Sequence, residues 1–255
     1  MFGLFRPVCP CDPAAKRWVE LRLQWLSREF GLHMLLERPV ILPTDQFFPD
    51  PYDGSPKTVE RLFRRVCRYM EVDARDVDIE LFTDDTPGTI VNFDPSAGFA
   101  AGTWQGGDGP WMKGVVRIER SALDRPANLI GTMAHELAHQ RLLGERRADA
   151  SAFDNELLTD LTAVFHGFGV FLANNPRKST GKLSHWPGTE LRRPEYLSEN
   201  MLGYAMAHIA WHRDEPRPAW AKALRWAPRA VFRQGLHYLY KIGDSAFKPV
   251  RVRGS

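Results

Sequence analysis

Residues 126–143 (PANLIGTMAHELAHQRLL) carry Leu129, Ile130, Met133, Leu137 and Leu142 at helical spacing, with His135 and His139 four positions apart among them. Side chains at i and i+4 leave a helix from one face, one turn apart, so two imidazoles placed this way can grip one metal ion. The ends are also signalled: Asp124 as a candidate cap, Pro126 in the first turn and Gly144 as a stop. Glu136 lies about 100° round the helix from His135, which sets its carboxylate beside the ion rather than among its ligands. That is the place of a general base, because a divalent ion brings the pKa of bound water toward ~7 and a flanking carboxylate can take the proton. The plainer alternative for this pair is an exposed, unliganded helical pair of histidines.

Two histidines do not complete a catalytic zinc site, which commonly uses three protein ligands. Residues 155–160 (NELLTD) offer a third, since Glu156 and Asp160 are again i and i+4 on a helix that starts a short connection later. HELAH followed by NELLTD resembles the gluzincin group of zinc metallopeptidases. That resemblance implies His135, His139 and Glu156 as ligands of one Zn²⁺, Glu136 as the base, and Asp160 as acceptor for the non-coordinating N–H of His135. A ligating histidine generally needs its second nitrogen held, which supports the last role on physical grounds. The resemblance covers residues 135–160, and the 17 positions from His139 to Glu156 are fewer than in thermolysin-like members. Gly131, Ala163 and Gly167 extend the faces that carry these residues, as small side chains would where two helices approach closely.

Elsewhere the period of the apolar residues changes along the chain. Helices are expected over 14–30, 59–70, 152–174, 195–212 and 218–240, with Cys67 in the core. Strands are expected over 77–83, 89–93 and 114–118, and the glycine-rich 98–109 between them reads as a turn-rich hairpin region. Helices, a small sheet and more helices describe an α+β protein. With the resemblance this implies a zincin-like fold: a small mixed sheet, an active-site helix and further helices. A single domain over 1–255 would then comprise N-terminal helices (1–75), a sheet region (76–120), the metal-binding helix pair (121–175) and a C-terminal helical region (176–255). Residues 115–119 precede the active-site helix and read either as an edge strand that receives an extended substrate or as an interior strand.

A net charge of +3 gives no reason to invoke nucleic acid or an anionic membrane as an obligatory partner. From His212 onward, however, ten Lys/Arg face three Asp/Glu, interleaved with Trp220, Trp226, Phe232, Tyr238 and Tyr240. This is read as a solvated basic face over core aromatics, with a nucleic-acid contact as the alternative. No run reaches the ~18 apolar residues of a membrane span. Three cysteines leave an odd thiol, and Cys9 and Cys11 read as a reduced pair, so with no secretion signal a cytoplasmic location is expected. For the oxyanion of the tetrahedral intermediate the candidate donor is Tyr204, with His208 one turn on and His185 in a loop as weaker choices; His166 is assigned to core or surface. The expected activity is hydrolysis of a peptide or protein substrate by metal-activated water. A catalytically silent zinc-binding regulatory module on the same fold is the alternative.

Overall fold

The computed structural model describes residues 6–83, 102–106, 113–177 and 184–249. Helix α1 (Pro13–Glu29) starts where the Asp12 carboxylate accepts from the amides of Ala14 and Ala15, both at 2.9 Å, and it buries Trp18, Val19, Leu23 and Leu26. The chain breaks at Gly31 and resumes as the short α2 (Leu32–Glu37), before α3 (Pro56–Met70) buries Val59, Phe63, Val66, Cys67 and Met70 at helical spacing. The sheet follows: β1 (Val77–Phe82), β2 (Gly102–Gln105) and β3 (Gly114–Glu119), in the order β1-β3-β2. β1 runs parallel to β3 with Val77 opposite Gly114, and β2 runs antiparallel to it with Gly102 opposite Ile118, so the sheet is mixed.

β3 is therefore the central strand, and the edge-strand expectation for 115–119 gives way to the interior alternative. Its alternation of buried Gly114, Val116 and Ile118 with half-buried neighbours fits a strand paired on both sides. The glycine-rich stretch supplies a strand, β2, rather than only turns. The expected strand at 89–93 lies outside the described residues.

α4 (Pro126–His139) continues into a π-helical turn, Gln140–Gly144; α5 (Asn155–Ala163) continues through a second, Val164–Phe168, into α6 (Gly169–Asn174). Strands β4 (Ser184–His185) and β5 (Arg192–Arg193) pair as a minimal ribbon, and α7 (Glu199–His212), a 3₁₀ turn (Ala219–Ala223) and α8 (Trp226–Ile242) complete the chain. The architecture is α+β, as expected. α4 packs on β2 and β3 and against α3, α5 and α6, so Thr132 to His139 are all buried. A helix enclosed on every side is central, and its polar groups must find partners within the protein.

Three local expectations change. Asp124 does not cap α4: Arg125 is the N-cap and makes no side-chain cap bond. Gly131 faces Phe171 of α6, where an added Cβ would stand 3.6 Å from the Phe171 Cβ, an ordinary contact. Gly167 does not continue a face of α5 at all; at φ +97° it turns the backbone so that its carbonyl accepts from the Ile41 amide at 2.9 Å. The run Asn155–Asn174 is not an unbroken apolar stretch, but by length and mean hydropathy it is apolar enough to cross a membrane. With 94% of that window buried, its apolar surface is already covered by protein.

Candidate metal centre

α4 and α5 bring His135, His139 and Glu156 together, with one ligand-capable atom from each lying within 4.8 Å of the others. His135 Nε2 is 3.1 Å from Glu156 Oε2, and His139 Nε2 is 3.5 Å from Glu156 Oε1. The two imidazoles stand edge to face, 4.9 Å between centroids. Zinc–ligand bonds of about 2.0–2.2 Å in a tetrahedron would separate neighbouring ligand atoms by roughly 3.3–3.6 Å. The two imidazole–carboxylate separations, made to different oxygens of Glu156, fall near that range, and the three donors together lie within 4.8 Å of one another.

The other nitrogen of each histidine is occupied. Asp160 Oδ1 accepts from His135 Nδ1 at 2.7 Å, while its Oδ2 accepts from the Leu197 amide at 3.0 Å. One buried carboxylate thus fixes the tautomer of His135 and ties α5 to the segment entering α7. His139 Nδ1 lies 3.3 Å from Thr159 Oγ1, whose own proton goes to the Asn155 carbonyl at 2.9 Å. The helix bearing Glu156 is anchored by Asp154, fully buried, which accepts from Trp18 Nε1 at 2.7 Å and Arg22 Nε at 2.8 Å of α1.

The carboxylates dominate the electrostatics. Burial opposes charge on His135, as does Arg177, yet Asp160 and Glu156 hold its pKa up to about 9. Burial likewise opposes the charge of Glu156, but the two imidazoles keep its carboxyl well below the usual range. Both shifts describe a place that attracts positive charge.

Glu136 is almost fully buried beside His135, and its Oε1 lies 3.5 Å from Arg177 Nη2. Arg177 also lies over the Tyr196 ring, 5.6 Å from guanidinium carbon to centroid, and that ring is 6.0 Å from His135. Burial and then the Glu156 charge push the Tyr196 phenol up, so it stays protonated. On the far side Trp104 of β2 stacks on His139 at 6.2 Å and donates from Nε1 to Gln140 Oε1 at 2.9 Å. Arg177, Tyr196, Trp104 and Thr159 were not singled out from sequence. Only Thr159 had a usable signal, its place within the motif between Glu156 and Asp160.

Tyr204 is not part of this centre. Its hydroxyl donates to Glu20 Oε1 at 2.7 Å in a buried cluster that also holds Lys16, the Ala246 amide and His208. Burial works against the charge of Glu20, but these partners hold its pKa down to about 2. A phenol committed to that carboxylate cannot serve a distant oxyanion. His208 faces the same cluster, His185 is exposed on β4, and His166 is core, its Nδ1 donating to the Thr162 carbonyl at 2.8 Å. All three thiols are free. In the basic C-terminal region Phe232 and Tyr238 are core and Trp220 is half-buried against it, whereas Trp226, 84% exposed, and Tyr240, also exposed, depart from that reading.

Comparison of the chain with protein-family models, with curated proteins and with solved structures finds no match.

Proposed function

We propose that this chain is a zinc metallopeptidase of gluzincin type, with His135, His139 and Glu156 as ligands and Glu136 as general base. The observation that carries the reading is the centre's donor set. Two imidazoles and a carboxylate converge within 4.8 Å of one another, and each imidazole is held through its other nitrogen. When bound, a zinc ion would make a water acidic enough to lose a proton near neutral pH. Glu136, next to His135 but outside the ligand set, would be the residue to take a proton there and return it to a leaving amine. Tyr196 replaces Tyr204 as the phenol at the centre, protonated and therefore able to donate. The α+β architecture with a central HELAH helix on a mixed sheet is compatible with a zincin-like fold. The three free thiols suit a reducing compartment.

The test is Glu136→Gln. Elemental analysis should find zinc retained at one ion per chain while turnover of a peptide library falls by roughly 10²–10⁴-fold. Undiminished hydrolysis by that variant would remove the assigned base. A second reading, a silent zinc-binding module, draws on the contact between Arg177 and Glu136, which gives the carboxylate a partner other than water. Full zinc occupancy with no hydrolysis of any library peptide by the wild type would favour it.

A further inference from the structure

Beside the centre, and sharing Asp160 and Arg177 with it, a cavity of about 120 Å³ opens between α4, α6 and the segment leading into α7. Pockets that enclose a whole small ligand run to roughly 300–1,000 Å³. This one has room for a single side chain. Its walls include Gly131 and Thr132, one turn before His135, and the apolar Phe171, Leu172, Leu197 and Leu202. The guanidinium of Arg177 is the cation that lines it, 18% exposed at its side chain.

Among the described residues, Arg177 is poorly matched to the carboxylate it meets. Charge-assisted N–H···O bonds close to about 2.7–2.9 Å, and carboxylates prefer to meet a guanidinium through two parallel bonds. The Glu136 contact is 3.5 Å and involves one oxygen. The Tyr196 ring supports the guanidinium from its face, leaving the in-plane donors to be aimed.

From this geometry we infer that Arg177 is a specificity-determining residue, which takes a carboxylate of the substrate next to the bond to be cut while the neighbouring side chain enters the cavity. The inference rests on the metallopeptidase reading and narrows its substrates to peptides with a negative charge on that side. The carboxylate is either the free terminus of the last residue or an aspartate or glutamate side chain; both present the same oxygens to the same fork. When it binds, Arg177 exchanges a long contact for a bidentate one, and Glu136 Oε1 is released to the water.

The experiment uses the zinc-loaded full chain and three acyl tetrapeptides, ending in free leucine, in leucinamide and in glutamic acid amide. One of the two carboxylate peptides should exceed the leucinamide peptide in kcat/KM by roughly tenfold to a hundredfold, the range of a hydrogen-bonded charge. Preference for free leucine identifies the terminal carboxylate, and preference for glutamate identifies the side chain. Arg177→Gln should bring the three rates within about threefold of one another, while Arg177→Lys should keep part of the preference. Equal rates on all three peptides with the wild type, or a uniform loss in Arg177→Gln with the preference intact, would overturn the assignment. Calorimetry of the free-leucine and leucinamide peptides separates the two layers. Carboxylate-selective binding that depends on Arg177, without turnover of any peptide, would leave recognition standing and sink the peptidase reading. Binding that ignores the carboxylate would sink the recognition.

Discussion

Asp160 accepts two hydrogen bonds with its two oxygens, one from His135 Nδ1 and one from the Leu197 amide, so Asp160→Asn sets up a conflict that no rotation resolves. If the amide oxygen keeps His135, the new NH₂ group faces the Leu197 N–H, and a buried donor left unsatisfied costs about 1–3 kcal/mol. If the oxygen keeps Leu197, Nδ1 must accept and the ring proton moves to Nε2, the nitrogen needed for the metal. Loss of such a partner lowers metal affinity by roughly 10–100-fold, about 1.4–2.7 kcal/mol. Thr159→Val removes a longer, uncharged acceptor from His139 and should cost only about threefold, near the net worth of a neutral hydrogen bond. Zinc affinity is read by competition with a chromophoric chelator, first at pH 9.5, above the value of about 9 to which His135 is held in the metal-free protein. Between pH 9 and pH 7 the wild type must also shed a proton to bind the ion. Asp160→Asn, lacking the charge that retains that proton, sheds it more readily, so the gap between them narrows toward neutrality. Equal affinities at pH 9.5, or a larger loss in Thr159→Val, would refute the role given to Asp160.

Tyr204→Phe should weaken the Glu20 cluster by about 1.5–3 kcal/mol in denaturant unfolding, since a buried carboxylate loses a donor, while zinc content and kcat/KM stay at wild-type values; a selective fall in kcat would return Tyr204 to the centre. Gly167→Ala should lower stability by at least about 2 kcal/mol, combining left-handed backbone with a Cβ that would stand 2.6 Å from the Pro39 carbonyl oxygen. Gly131→Ala should be within about 1 kcal/mol of neutral or stabilising, because its Cβ meets only ordinary contacts and alanine is the better helix former. Similar losses in both glycine variants would contradict the packing described for α4 and α6.

The pair of helices that carries the candidate ligands was legible because both carry their information in i, i+4 spacing, which is a property of the helix itself. Asp160 could be assigned for the same reason. The rest of the centre depends on distances along the chain that no local pattern encodes: Arg177 reaches Glu136 across 41 residues, and Trp104 reaches Gln140 across 36. Tyr204 was misplaced by a sound local argument, a phenol one turn from a histidine. Its actual partner, Glu20, is 184 residues away on α1. Glu20 itself has the sequence context of an exposed charge, beside Lys16 on an amphipathic helix, and becomes buried only when α7 and the Ala246 amide close over it. β2 was hidden for another reason: glycine-rich sequence lowers strand propensity, and pairing with β3 overrides it. The π-helical turns after His139 and Ala163 leave the apolar spacing nearly intact, so periodicity reads straight through them.

The charges around the centre explain why these helices pack as they do. Glu136 and Asp160 are buried and Glu156 is half-buried, so three carboxylates gather where at least two are cut off from water, an arrangement that is unfavourable unless cations lie among them. In the metal-free protein Arg177 supplies one positive charge and His135, held up to about 9, a second near neutral pH, which leaves the group one charge negative. A divalent ion between the two Nε2 atoms and Glu156 would displace the proton of His135, exchange one charge for two and bring the group to neutrality. The same count explains the position of Arg177: without it, the three carboxylates would outnumber the charge of a divalent ion, and Glu136 would remain buried with no cation beside it. On this reasoning Arg177 belongs to the charge balance of the site as much as to its shape, and a substrate carboxylate that takes it returns the group to the single negative charge it has in the metal-free protein.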